Sequence, residues 1–162
     1  NEIPVGQRDT IVNRGIGGDT LQNASATRLE RDVFDTAGVS SVVVWVTNDL
    51  SSRSADEIIA NYQELIAKAH AKGINVYCPT WIPGAQSFQA NLSGERAKLN
   101  DWILNSGECD GVADYNAEVE APGGLTFLPQ YNSGDSIHSN DAGHALWAAA
   151  TPLAEWVKKT KP

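Results

Sequence analysis

No run of about 18 apolar residues occurs in the chain, so nothing in it can cross a bilayer as a helix. Basic residues are scarce as well: 12 Lys and Arg stand against 20 Asp and Glu, a net charge of −8. That balance repels a phosphate backbone and excludes the footprint of a nucleic-acid binder, and it disfavours other polyanions as partners. Methionine is missing altogether. Asn1 opens a segment with neither a basic start nor an apolar core, as expected of a chain that has been processed or cut. Repeats, low-complexity tracts and linkers are missing too. What is present, 41% apolar and 20% charged residues over 162 positions, suits one globular domain spanning residues 1–162, soluble and able to bury a core.

Apolar segments of two kinds alternate along the chain. Short β-rich runs fall at residues 10–13, 41–47, 74–80 and 111–115. Between them lie helical patterns. The clearest begins at Ser54, whose side chain can cap the first turn while Glu57 reaches back, and it ends before Gly73 with Ile58, Tyr62, Leu65, Ile66 and Ala69 on one face. Others are expected over residues 24–36, over 93–105 with Ala97, Leu99, Trp102 and Ile103 available for burial, and from 141 towards 158 with a kink at Pro152. Strands alternating with helices predict a parallel sheet between helical layers, because parallel neighbours need a crossover. In such sheets the binding crevice lies at the carboxyl ends of the strands. Cys78 then falls late in one strand and Cys109 just before the next, near opposite ends and beyond the ~7 Å that bridged α-carbons allow, so free thiols are expected. Asn23-Ala24-Ser25 and Asn91-Leu92-Ser93 match the N-glycosylation pattern, a signal that carries little weight alone.

Three segments carry chemistry. Asp135-Ser136-Ile137-His138, followed by Asn140, Asp141, Gly143 and His144, is a turn running into the last helix. A carboxylate three residues before a His can hold one ring N–H and leave the other nitrogen as a base. Trp45-Val46-Thr47-Asn48-Asp49 ends an apolar strand on an amide, whose NH2 can donate to a developing oxyanion. Asn13-Arg14-Gly15-Ile16-Gly17-Gly18-Asp19-Thr20 is a glycine-rich turn whose bare N–H groups can face an anion. Thr20 occupies the position where a dinucleotide fingerprint needs its third glycine, which argues against a nucleotide cofactor. Asp135, His138, Asp141 and His144 recur every third residue, but positions three apart drift around a helix axis, so no metal site is expected.

Together these segments resemble the sequence blocks of the SGNH, or GDSL-like, hydrolase family. Residues 13–20 resemble its glycine block, Val46-Thr47-Asn48-Asp49 its Gly-x-Asn-Asp block with Val46 in place of the glycine, and Asp135-x-x-His138 its last block. The resemblance implies a three-layer α/β/α sandwich with a parallel sheet, flavodoxin-like. It implies Gly18 N–H and the Asn48 side chain as oxyanion-hole donors, His138 as general base and Asp135 as its orienting partner. No cofactor is implied. The implied activity is hydrolysis of a carboxylic ester through an acyl-serine intermediate, on a small-molecule or glycan ester, in a secreted or extracellular protein. Trp81, at a strand's carboxyl end near Pro83, can serve as a substrate-binding platform or simply pack.

The family's first block, a Gly-Asp-Ser that carries the nucleophile at the end of a central strand, should precede Asn13 by tens of residues. Only twelve precede it. Gly134-Asp135-Ser136 spells the same motif, but in the last block and without an apolar strand before it. The expectation is therefore that the first central strand is absent from this chain, and that an N-terminal fragment of the same precursor supplies strand, helix and serine. The alternative is a catalytically inactive ligand- or carbohydrate-binding module on the same scaffold.

Overall fold

The computed structural model describes residues 10–45, 48–84 and 93–159. β1 (Ser41–Val43), β2 (Asn75–Pro79) and β3 (Gly111–Ala113) run parallel in that order, with Val42 opposite Val76 and Cys78 opposite Val112. Successive side chains leave a strand on opposite faces, and helices cover both. On one side Val44, Val76 and Cys78 join a core with Leu21 of α1 (Leu21–Thr27), Ile58, Tyr62 and Leu65 of α2 (Ala55–Ala71), and Leu99 and Ile103 of α3 (Ser93–Asn105). On the other, Tyr77 and Ala113 join Tyr115 of α4 (Tyr115–Val119), Trp147 of α5 (Asp141–Ala150) and Trp156 of α6 (Leu153–Lys159). The chain is a three-layer α/β/α sandwich on a parallel sheet.

Local chemistry places the helices. Ser54 accepts the Glu57 N–H while the Glu57 carboxylate accepts the Ser54 N–H at 2.9 Å, the reciprocal cap read from the sequence. Gly73, at φ +71°, lets α2 end with the Ile74 N–H turned back onto Ala69 O, a conformation that costs a side-chain-bearing residue more. The expected helix over 24–36 instead starts at Leu21, capped by Thr20, and passes into a wide turn at Glu30–Phe34. The expected long last helix is two, α5 and α6, parted at Pro152, which has no N–H to continue the ladder. In α3 the buried face is Arg96, Leu99, Asn100 and Ile103, whereas Ala97 is exposed and Trp102 only partly covered. Arg96 reaches Glu120 at 2.7 Å and the Gly124 carbonyl, and Asn100 pairs with the Trp81 backbone, so specific partners bury polar groups that composition would leave outside.

Two expectations are corrected. Residues 10–13 form no strand: among the described residues the outer edge of β1 has no neighbour, and Ile11 and Val12 are 79% and 53% exposed. Cys78 and Cys109 are bridged, with α-carbons 6.1 Å apart. The reason is register. Gly111 lies opposite Tyr77, so β3 begins alongside the middle of β2, and Asp110 ties that approach down by donating its N–H to Val76 O and accepting the Val76 N–H at 2.7 Å. The sequon at Asn91 and the strand end at Val46 and Thr47 lie outside the described residues.

The bridge closes a separation of 31 residues around α3, a loop for which chain entropy gives about 3 to 4 kcal/mol. A C78A/C109A double variant is expected to lose that much stability in urea unfolding at neutral pH. A loss under about 1 kcal/mol would mean the unfolded chain gains little freedom when the bridge goes.

Candidate active site

The turn between Tyr131 and Asn140 is built around two side chains that fold it onto itself. Asn132 Oδ1 accepts the N–H groups of Gly134 and Ser136 at 2.8 and 3.0 Å, holding Ser136 at φ +60°, an uncommon conformation for a residue with a side chain. Asp135 Oδ1 accepts the N–H groups of Ile137 and His138, both at 2.8 Å, and the Ser133 hydroxyl at 3.0 Å. Its other oxygen meets His138 Nδ1 at 2.6 Å. Asn140 then fastens the turn to α5, accepting the Gly143 N–H and donating Nδ2 to the carbonyls of Gln130 and Asn132.

These bonds fix charge as well as shape. The His138 ring, followed by the backbone N–H groups of His138 and Ile137, holds the Asp135 carboxyl far below the usual carboxylate range. An ionised carboxylate only accepts, so Nδ1 carries the proton and donates it. In the neutral ring that arrangement leaves the lone pair on Nε2, on a side chain 74% exposed. That nitrogen is positioned to take a proton from a hydroxyl brought against it.

Gly18 and Asn48 lie on a second pair of loops, joined at Asp19. Asn48 Nδ2 donates one N–H to the carbonyl of Asp19, the residue after Gly18, at 2.9 Å, and an amide nitrogen has a second N–H still to give. Gly18 sits at φ +76° with open space where a Cβ would be, in a turn closed by the Asp19 N–H on Ile16 O. Among the described residues its N–H meets no acceptor. Arg28 holds the loop by bonding both Asp19 Oδ2 and the Arg14 carbonyl. The Asn23 side chain first, and Arg28 with it, draw the Asp19 carboxyl below its ordinary value. The Gly18 N–H and the second Asn48 N–H thus remain to be given on neighbouring loops, and donors of this kind can stabilise an oxyanion where they converge.

Ring contacts tie the last two helices to the sheet. Trp147 lies edge-on to Trp45, just past β1, with ring centroids 4.6 Å apart, while Trp156 stacks on Tyr77 in mid-β2 at 4.4 Å. The Asp135–His138 turn leads into α5, the helix whose Trp147 meets Trp45 just past β1.

Trp81 is placed elsewhere. It is 1% exposed in the main core, its indole N–H on the Tyr62 hydroxyl and its backbone clamped by Asn100, so it presents no face for stacking. The aromatic cluster past the ends of β1 and β3 is instead Trp45, Tyr115 and Trp147, in mutual ring contact with Tyr115 and Trp147 buried, and His144 edge-on to Trp147. Three hydrophobic-looking residues spread over a hundred positions gave no local signal of that cluster. Among the described residues no three His, Cys, Asp or Glu converge to hold a metal.

The model of the GDSL-like lipase/acylhydrolase family matches residues 4–146. No relative is found among curated proteins. Among solved structures the chain is similar to one described as an acylhydrolase from Bacteroides fragilis (23% identity, TM-score 0.78, covering 91% of this chain and 74% of that one). It is also similar to a GDSL-like lipase from Bacteroides thetaiotaomicron (21%, TM-score 0.78, 91% and 75%). An acetyl-xylooligosaccharide esterase from Geobacillus shares the fold at 19% identity (TM-score 0.65, 90% and 71%). At these identities the likeness is one of fold.

Proposed function

The chain belongs to the GDSL-like lipase/acylhydrolase family, and from that premise we propose that it is the greater part of a serine ester hydrolase whose nucleophile comes from outside these 162 residues. The observation that carries the reading is the 2.6 Å contact between His138 Nδ1 and a strongly stabilised Asp135 carboxylate. In the proposed cycle a serine hydroxyl gives its proton to His138 Nε2 as its oxygen attacks the ester carbonyl. The carbonyl oxygen takes up the negative charge and is met by the Gly18 N–H and the second N–H of Asn48. Collapse expels the alcohol, which leaves with the proton from His138, and the acyl group stays on serine. Water, deprotonated by the same nitrogen, then attacks the acyl-serine; the acid departs and the serine recovers its proton. No metal or cofactor enters any step.

The serine is assigned to an N-terminal fragment of the same precursor, which adds a strand beside β1. Supporting this, among the described residues the outer edge of β1 has no neighbour and its Val43 is 52% exposed, while the apolar Ile11 and Val12 elsewhere are 79% and 53% exposed, surface that another strand could cover. The Cys78–Cys109 bridge fits a secreted protein, because disulfides persist in oxidising compartments. The substrate is a small-molecule or glycan ester.

Hydrolysis of p-nitrophenyl acetate tests the reading. The 162-residue chain alone is expected to be inactive, and the chain joined with the serine-bearing polypeptide active, with an initial burst of nitrophenol as the acyl-serine forms. If the joined protein binds esters and releases no product, the scaffold is a binding module.

A further inference from the structure

We infer that Asp49 is the positioning residue of the oxyanion hole, a role that rests on the ester-hydrolase reading above. Its carboxylate is fully buried, which is costly unless partners meet it. The partners come from the other loop: Oδ2 accepts the Leu21 N–H at 2.8 Å and Oδ1 the Gln22 N–H at 3.4 Å, two of the N–H groups that the start of α1 leaves without a helical acceptor. Arg53 stands 3.9 Å from Oδ1, on the following turn of chain. Its neighbour Asn48 bonds the Asp19 carbonyl. Two consecutive residues thus grip the backbone at Asp19, Leu21 and Gln22, immediately after Gly18.

The consequence is geometric. Gly18 is exposed, and the bonds that close and hold its turn, Asp19 N–H on Ile16 O and Arg28 on Asp19 and Arg14, do not tie that turn to the chain around Asn48. The Asp49 clamp does. It anchors the segment carrying one donor to the residue adjoining the other, and it does so from a buried site that never touches substrate. Donors act at about 2.7 to 3.1 Å from the position the oxyanion will take, and a misplacement of about 1 Å costs on the order of 100-fold in rate.

The test uses the complete enzyme, chain plus serine-bearing polypeptide, with p-nitrophenyl acetate. Asp49→Ala is expected to lower kcat about 10- to 100-fold with KM changed less than about 3-fold. Asp49→Asn, which keeps the volume and one acceptor oxygen, should recover part of that loss. Asn48→Ala alone should cost about 100- to 1,000-fold, and adding Asp49→Ala to it should cost less than Asp49→Ala costs alone, because the Gly18 N–H is then the one donor left for the clamp to place and no pair remains to align. If Asp49→Ala does not fold, the Asn variant decides, read as kcat of the folded fraction. An unchanged kcat in a folded Asp49 variant, or full multiplication of the two losses in the double variant, overturns the inference and leaves Asp49 as a stabiliser of the fold. An inactive parent enzyme would instead sink the ester-hydrolase reading itself.

Discussion

Replacing His138 with alanine is expected to lower kcat of the complete enzyme by on the order of 10⁶-fold, the scale seen when the base of a serine–histidine pair is removed. The reasoning is that one nitrogen serves every proton transfer in the cycle: it takes the serine proton, gives it to the leaving alcohol, and repeats both steps for water. Fold and stability should hardly move. The His138 ring is largely exposed and bonds Asp135 alone, while the backbone N–H of residue 138 keeps its own bond to Asp135 Oδ1 whatever the side chain. Matching urea midpoints for both proteins, with turnover lost in one, would establish the role. A fall in kcat of less than about 10-fold would show that another group is the base.

Asp135→Asn is expected to cost about 10⁴-fold, by a different route. Asparagine can still accept the backbone N–H groups of Ile137 and His138, so the turn survives, but its NH2 can donate to Nδ1 and shift the proton to Nε2. The ring would then present a donor where a base is required. The same carboxylate supplies a pH signature. Its folded-state value is depressed, so its contribution to the turn is complete above the unfolded value near 3.8 and is lost only as pH falls through the lower folded value. Carboxyl-carbon NMR of Asp135 should therefore show no titration between about pH 7 and pH 4. A midpoint near 3.8 would mean that the Asp135–His138 bond does not persist in solution.

What was legible in the sequence was local. The Asp135-x-x-His138 pair needs one turn of chain, the Ser54–Glu57 cap needs four residues, and the apolar face of α2 repeats at the helical period; each signal lies within a window that its own physics sets. What was not legible depends on distant partners. Cys109 reaches Cys78 because Gly111 pairs with Tyr77, a register no single segment reveals. Trp81 looks like an edge aromatic until Asn100 draws its backbone into the core. Asp49 looks like the end of a strand, and only the folded chain shows the start of α1 resting on it. Residues 10–13 have a strand's composition but no neighbour to pair with among the described residues, and β-propensity without a partner does not make a strand.

The most direct measurement is to treat active protein with a fluorophosphonate, which labels activated serines, and to locate the label by intact mass and peptide mapping under denaturing conditions. The expected result is a single label on a serine outside residues 1–162, with the 17.4 kDa chain unmodified, and no labelling once His138 is alanine. A label on Ser136 or any other serine of this chain, or none at all in protein that still hydrolyses esters, would contradict the proposed site.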